Sequence, residues 1–113
     1  MRFGTNRSIA APEIARGWAV DVATVSSDVI GFLALHDDKL EQLFIAPSAQ
    51  GKGVGKALLD FAKREKPDGF WLTTSVENSG SNRFYAREGM IHTRMEPHPR
   101  FPENIVRIYE WKP

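Results

Sequence analysis

Apolar and polar positions divide most of the chain into short, well-punctuated segments. Trp18 to Val25 alternates and is rich in valine, Ser26-Ser27-Asp28 is turn-like, and Val29 to Leu35 is an apolar run, so two antiparallel strands are predicted. His36-Asp37-Asp38-Lys39 supplies the next turn. Leu40 to Ile45 forms a third strand, closed at Ala46-Pro47 because proline has no ladder donor. The period then changes: Val54, Ala57, Leu58, Phe61 and Ala62 trace one face of a helix that runs to about Lys66, before Pro67-Asp68-Gly69. Phe70 to Ser75 is a strand of aromatic and β-branched residues. Strand, helix and strand together span about thirty-five residues, the size of one crossover joining parallel strands. Asn78 and Ser79 offer N-caps for a second helix carrying Phe84 and Tyr85, with Gly89 just past its end. Met90 to Met95 and Ile105 to Trp111 read as a closing hairpin around a polar, Pro-rich loop. Residues 1–17 show no clear periodicity and are expected to be irregular, apart from a helical turn that Pro12 to Arg16 could form. The whole is expected to be one α/β (α+β) domain over residues 1–113.

Composition narrows the chemistry. A chain of 113 residues, 42% apolar, can bury one ordinary core and leaves no room for a second domain. Fifteen Lys and Arg against fourteen Asp and Glu leave a net charge of +1, too little to draw nucleic acid or an anionic membrane by overall field. The longest apolar run, Val29 to Leu35, is far below the roughly 20 residues that span a bilayer. A cytoplasmic protein is expected. With no cysteine, a disulfide scaffold, a thiolate zinc site and a cysteine acyl-enzyme are excluded, and no metal is expected.

The segment Gln50-Gly51-Lys52-Gly53-Val54-Gly55-Lys56 lies between a strand end and a helix start. Unpaired N–H groups of a first helical turn, with glycines that admit close approach to the main chain, make an anion cradle. Two nucleotide-binding patterns fail on spacing. A P-loop ending in Gly55-Lys56 needs glycine at position 50 and Ser or Thr at 57, where Gln50 and Ala57 stand. A dinucleotide fingerprint needs a small third residue and meets Lys56 or Leu58.

What the loop fits, through Gln50, Gly53 and Gly55, is the R/Q-x-x-G-x-G/A signature of the GNAT superfamily of N-acetyltransferases. Asn78 to Met90 resembles the family's second signature, N-x-x-A-x-x-F-Y-x-x-x-G-F, with Ser81 in place of alanine and Met90 in place of phenylalanine. The resemblance runs from about Trp18 to Trp111. It implies a mixed, mostly antiparallel sheet with a central splayed pair of parallel strands and flanking helices, and acetyl-CoA as co-substrate. It places the pyrophosphate on backbone N–H groups from Gly51 to Lys56, including Val54, with Lys52 and Lys56 as sources of added charge. The pantetheine arm would pair with backbone near Phe44 and Ile45, with Asn78 on its other side and Ser81 in the same motif.

Amine acetylation needs a neutral amine, a polarised thioester carbonyl and a proton for the departing thiolate. Tyr85 is the candidate acid, since a phenol stays protonated at neutral pH. Glu41 is the candidate base or holder of a cationic acceptor, and alternation puts it on the face of Leu43 and Ile45. The backbone N–H of Ile45 is a candidate to polarise the carbonyl. His36, His92 and His98 read as surface residues. The implied activity is transfer from acetyl-CoA to a primary amine of a small molecule or peptide by direct attack, the alternative being a silent acyl-CoA-binding or regulatory domain. Family members carry more structure ahead of the strand at Trp18. The acceptor half of the site is therefore expected to be short, and a homodimer covering the Trp18, Val20 and Val22 face is expected.

Overall fold

A computed structural model of the protein describes residues 4–9, 19–25 and 28–113. Among them are seven strands and two α-helices in two compact units, residues 1–66 and 67–113. The first unit is a four-strand antiparallel meander: β1 (Gly4–Ile9), β2 (Ala19–Val25), β3 (Asp28–His36) and β4 (Lys39–Ile45), each paired to the next. A single 3₁₀ turn, Pro47–Ala49, leads into the glycine segment and helix α1 (Val54–Glu65).

β1 corrects the expectation of an irregular segment over residues 1–17. Its sequence, Gly-Thr-Asn-Arg-Ser-Ile, has no apolar alternation, but its backbone pairs with β2 from Gly4↔Thr24 to Ile9↔Ala19. Ladder hydrogen bonds specify such a strand without a hydrophobic pattern of its own. The suggested turn at Pro12 to Arg16, and Trp18, lie outside the described residues.

α1 lays Val54, Leu58, Leu59 and Ala62 against β3 and β4, where Leu33, Leu35 and Leu40 are buried. Ala57 and Phe61, expected on this stripe, are only half-buried. Within β2 the buried positions are Asp21 and Ala23, whereas Val20 and Val22 are half-buried. Gly31 sets how closely β3 and β4 approach: a Cβ there would come 2.7 Å from the Phe44 carbonyl oxygen and 3.2 Å from the Ile45 side chain.

The register of β3 on β4 slips by one residue. Ala34 faces Gln42 but Leu35 faces Leu40, so Glu41 is the extra residue of a β-bulge. The bulge reverses the alternation on its N-terminal side. Leu40 and Leu43, three apart, therefore share a face with Leu35 and Leu33.

The second unit is a three-strand antiparallel array ordered β5 (Phe70–Ser75), β7 (Ile105–Trp111), β6 (Ile91–Pro97), with helix α2 (Ser79–Arg87) between β5 and β6 in sequence. Phe70, Leu72, Tyr85, Met90, Val106, Ile108 and Tyr109 are its buried apolar residues. α2 starts as its sequence demands: Asn78 is the N-cap, its Oδ1 accepting from the Ser81 N–H at 3.1 Å. It ends in a Schellman arrangement, Met90 N–H donating to the Tyr85 carbonyl at 3.0 Å and Gly89 N–H to Ala86 at 3.3 Å, with Gly89 at φ 88°.

The tight contact at Gly31 yields a stability prediction. Gly31→Ala forces the β4 backbone at Phe44 to shift, with the Ile45 side chain giving way as well, and should cost about 1–3 kcal/mol in chemical denaturation, as overpacking does. An unchanged midpoint and slope would mean that β3 and β4 are not held at this spacing.

Candidate functional site

In the first unit the candidate residues converge on the turn before α1. Gly51 has φ 77° and Gly53 has φ 82°, while Lys52 between them stays at negative φ. Alternating handedness of this kind turns successive N–H groups toward one side, the arrangement that makes an anion-binding nest. Glycine is required at both positions because left-handed φ is strained for other residues. A Cβ on either would meet nothing within 4 Å, so the space in front of the turn is open.

Gly53 is the N-cap of α1 and offers no side-chain acceptor, and no acidic residue stands in the first turn. The first backbone bond into the helix is Ala57 N–H to the Gly53 carbonyl, at 3.0 Å. Among the described residues, no N–H from Gly51 to Gly55 finds an acceptor. Five successive donors at the positive end of a helix are thus presented together. Lys52 is exposed beside them, whereas the Lys56 ammonium reaches Asp60 at 3.3 Å one turn along α1. Gln50 does not point its amide at the nest: Nε2 donates to the Ile45 carbonyl at 3.3 Å and ties the turn back to β4.

That contact bears on the backbone assigned to the pantetheine arm. Ala46 N–H donates to Ile30 at 2.9 Å, and antiparallel ladders bond at alternate residues. The polar groups of Phe44 therefore point to β3, and those of Ile45 point away from it. Of the two residues expected to offer backbone to the arm, Ile45 has its N–H on the outer edge of β4 and Phe44 does not. The Phe44 ring, 45% exposed, stacks on Phe32 with centroids 5.6 Å apart.

Glu41 is corrected in its direction. The bulge turns it away from Leu43 and Ile45, and its carboxylate lies 3.1 Å from Lys39 Nζ and 3.6 Å from His36 Nδ1. It is 17% exposed, so it is drawn from water but paired.

In the second unit Tyr85 lies on α2, 8% exposed, its ring 5.8 Å from that of Tyr109 and 5.3 Å from that of Phe84. Burial pushes the phenol up from 10.0 to about 12, since the charged phenolate would lose its hydration. Its hydroxyl has no hydrogen-bond partner among the described residues. Asn78 uses its side-chain oxygen as the helix cap, leaving its amide N–H₂ to donate; Ser81 receives the cap through its backbone. One residue that sequence reasoning missed is Asn82. Its Nδ2 donates to the carbonyls of Ser75 (3.0 Å) and Asn78 (2.8 Å), and its Oδ1 accepts from the Tyr109 hydroxyl at 2.8 Å. The signal available was a polar, helix-disfavouring residue four positions after the cap.

His92 stands over Tyr109 at 5.5 Å, and His98 Nδ1 accepts the N–H groups of Arg100 and Phe101. Among the described residues no three His, Asp or Glu side chains are grouped to hold a metal ion, and no helix is long and apolar enough to cross a membrane.

Comparison with known proteins agrees with this arrangement. The chain is 34% identical over 68 residues to the peptidyl-lysine N-acetyltransferase YjaB of Salmonella typhimurium, a stretch that covers 58% of this chain and 45% of that protein. The chain thus spans less than half the length of that curated relative. A GNAT-family acetyltransferase from Elizabethkingia anophelis, solved with acetyl-CoA bound, has a similar fold (TM-score 0.84, 11% identity, 98% of each chain). So has a GNAT-family protein from Desulfovibrio desulfuricans (TM-score 0.82, 17% identity, 98% of this chain and 99% of that one). The fold is therefore the α/β fold of these proteins. Because the Acetyltransferase (GNAT) domain family also matches residues 16–89, well over half of the sequence, the chain belongs to that family.

Proposed function

We propose that the protein is an acetyl-CoA-dependent N-acetyltransferase that passes the acetyl group to a primary amine of a small molecule or peptide by direct attack. The observation that carries this reading is the run of unpaired N–H groups from Gly51 to Gly55 at the head of α1, in the spacing of the family's first signature. Such donors suit a pyrophosphate, and the open space before both left-handed glycines lets it approach. Lys52 adds near this end an ammonium with no ion pair among the described residues, whereas Lys56 is shared with Asp60. The printed name of the Salmonella relative favours a peptide lysine among acceptors, and the bound acetyl-CoA of the Elizabethkingia protein favours the co-substrate.

Acetyl-CoA supplies a thioester whose carbonyl carbon accepts the amine and whose sulfur leaves. The Ile45 N–H, on the outer edge of β4, is the donor assigned to the carbonyl oxygen. Glu41 is assigned to the amine, taking its proton or holding its cation, and Lys39 and His36 fix the carboxylate for this. Tyr85 is assigned to the sulfur. With a phenol near 12 against a thiol reference near 8.5, full proton transfer would be uphill by about 5 kcal/mol. Tyr85 therefore acts first as a hydrogen-bond donor to the developing thiolate, and the proton moves only as the surroundings rearrange. Self-association through the half-buried Val20 and Val22 face is part of the same proposal, with sedimentation across a dilution series as its test.

Acetyl-CoA and coenzyme A should raise the melting temperature while ATP and NAD do not. Gly53→Val should remove this shift, because a β-branched side chain would stand in the open space and at a φ it resists. A shift with ATP alone, or an undiminished shift in the variant, would contradict the reading.

Tyr85→Phe should keep coenzyme affinity and lower turnover by roughly 10²–10⁴. The same substitution has a pH signature. The folded state holds the phenol neutral, so its contribution is complete below the unfolded value of 10.0 and is lost as pH rises through about 12. Native protein should thus lose roughly 2–3 kcal/mol more than Tyr85→Phe across that window. Parallel stability curves would place the hydroxyl in water.

Glu41→Gln should slow transfer on the order of 10–10²-fold, with partial rescue at high pH where free amine forms unaided. A loss equal at all pH values would assign Glu41 to acceptor binding or to the bulge itself.

A further inference from the structure

The hairpin that joins β3 to β4 carries a line of titratable groups of which the proposed chemistry uses only the inner end. The bulge turns the Glu41 carboxylate toward His36 and Lys39, and its two oxygens have different neighbours. Oε1 lies 3.1 Å from Lys39 Nζ, and Oε2 lies 3.6 Å from His36 Nδ1. The other ring nitrogen, Nε2, lies 3.7 Å from Asp37 Oδ2. Asp37 takes φ 53° at the turn, a left-handed conformation that aspartate tolerates better than most residues. Side-chain exposure rises along this line, from 17% at Glu41 through 42% at His36 to 87% at Asp37. All three residues belong to the first unit.

A proton on Glu41 can leave through only one of these two neighbours. An ammonium has three donors and no lone pair, so Lys39 holds Oε1 but takes nothing from it. Imidazole accepts at one nitrogen and releases at the other, and it does so near neutral pH. The gaps on either side of the ring are longer than a direct hydrogen bond, and a small rotation of the ring or one bridging water closes each. A residue needed only to fix Glu41 would have no use for a second nitrogen aimed at an exposed carboxylate. We infer that His36 relays the acceptor's proton from Glu41 to bulk water, acting through Glu41. This rests on the assignment of Glu41 to the amine in the transferase reading above. The acceptor arrives as an ammonium and loses two N–H protons. The first passes to Glu41 Oε2, which frees the lone pair that forms the C–N bond as the C–S bond breaks, and the second ends on the coenzyme sulfur. Oε2 then gives its proton to Nδ1 while the Nε2 proton leaves to Asp37 or water. One proton thus reaches solvent per turnover. Asp38 and Lys39 complete the titratable groups of this turn, and both are charged sites beside the line rather than steps along it.

The test is steady-state thiol release in dilute buffer, comparing native protein, His36→Ala, His36→Gln and Glu41→Gln. Both His36 variants should lose on the order of 10-fold or more in kcat, with the acceptor KM nearly unchanged. Added imidazole should restore His36→Ala in proportion to its concentration, since it takes the proton from Oε2 in the vacated space, and should leave Glu41→Gln unrestored. His36→Gln keeps a hydrogen-bond donor beside Oε2 but cannot pass a proton on, so an imidazole that only fixed Glu41 would be replaced by the amide. Native kcat in His36→Gln, or a loss in His36→Ala that imidazole does not restore, would overturn the relay while the transferase reading stands. Should His36→Ala fail to fold, the pH profile of His36→Gln decides: a loss that shrinks as rising pH supplies hydroxide upholds the relay, and a loss equal at all pH values overturns it. Native turnover in Glu41→Gln would overturn the base and the relay together. No thiol release with any amine would overturn the transferase reading, and the relay with it.

Discussion

Five backbone N–H groups that find no acceptor among the described residues, at the positive end of a twelve-residue helix, are the constraint around which the first unit is arranged. Unmatched donors are tolerable there because the turn faces open space and water can serve them. The surrounding residues keep the donors in place rather than satisfying them. Gln50 ties the turn back to Ile45, the 3₁₀ turn at Pro47–Ala49 fixes its approach, and Val54, Leu58, Leu59 and Ala62 anchor the helix on β3 and β4. Gly31 permits β3 and β4 to lie at their observed spacing beneath it. A row of open main-chain donors is thus held in place by an apolar core.

The two units handle polarity in different ways. In the first, the polar groups of the site are mostly main chain, and its one partly buried carboxylate, Glu41, is paired with Lys39 and close to His36. In the second, Asn82 satisfies three partners at once and fastens α2 to the end of β5 and to Tyr109. Against that well-matched background, the Tyr85 hydroxyl has no protein partner among the described residues.

Much of this was legible in the sequence, for physical reasons that differ by element. β5 and β7 are bounded by strong turn residues and rich in β-branched and aromatic side chains, and their limits follow directly from the residues. The Asn78 cap and the Gly89 terminus of α2 are likewise local chemistry. β1 was not legible because its pairing lies in backbone hydrogen bonds, not in side-chain alternation. The direction of Glu41 was hidden for another reason: a one-residue bulge leaves no mark in composition, yet it inverts every face before it. Family motifs located Gln50, Asn78 and Tyr85, but Asn82 becomes visible only when its hydrogen bonds are counted.

The central claim is that the glycine nest receives the coenzyme's pyrophosphate, and amide chemical shifts test it most directly. In an isotope-labelled sample titrated with coenzyme A, the account predicts large downfield movements of the N–H signals of Gly51, Gly53, Val54 and Gly55, as charge-assisted hydrogen bonds form. Pantetheine, which lacks the pyrophosphate, should leave them nearly still. Binding of coenzyme A with these amides unmoved, or equal movement with pantetheine, would contradict the account.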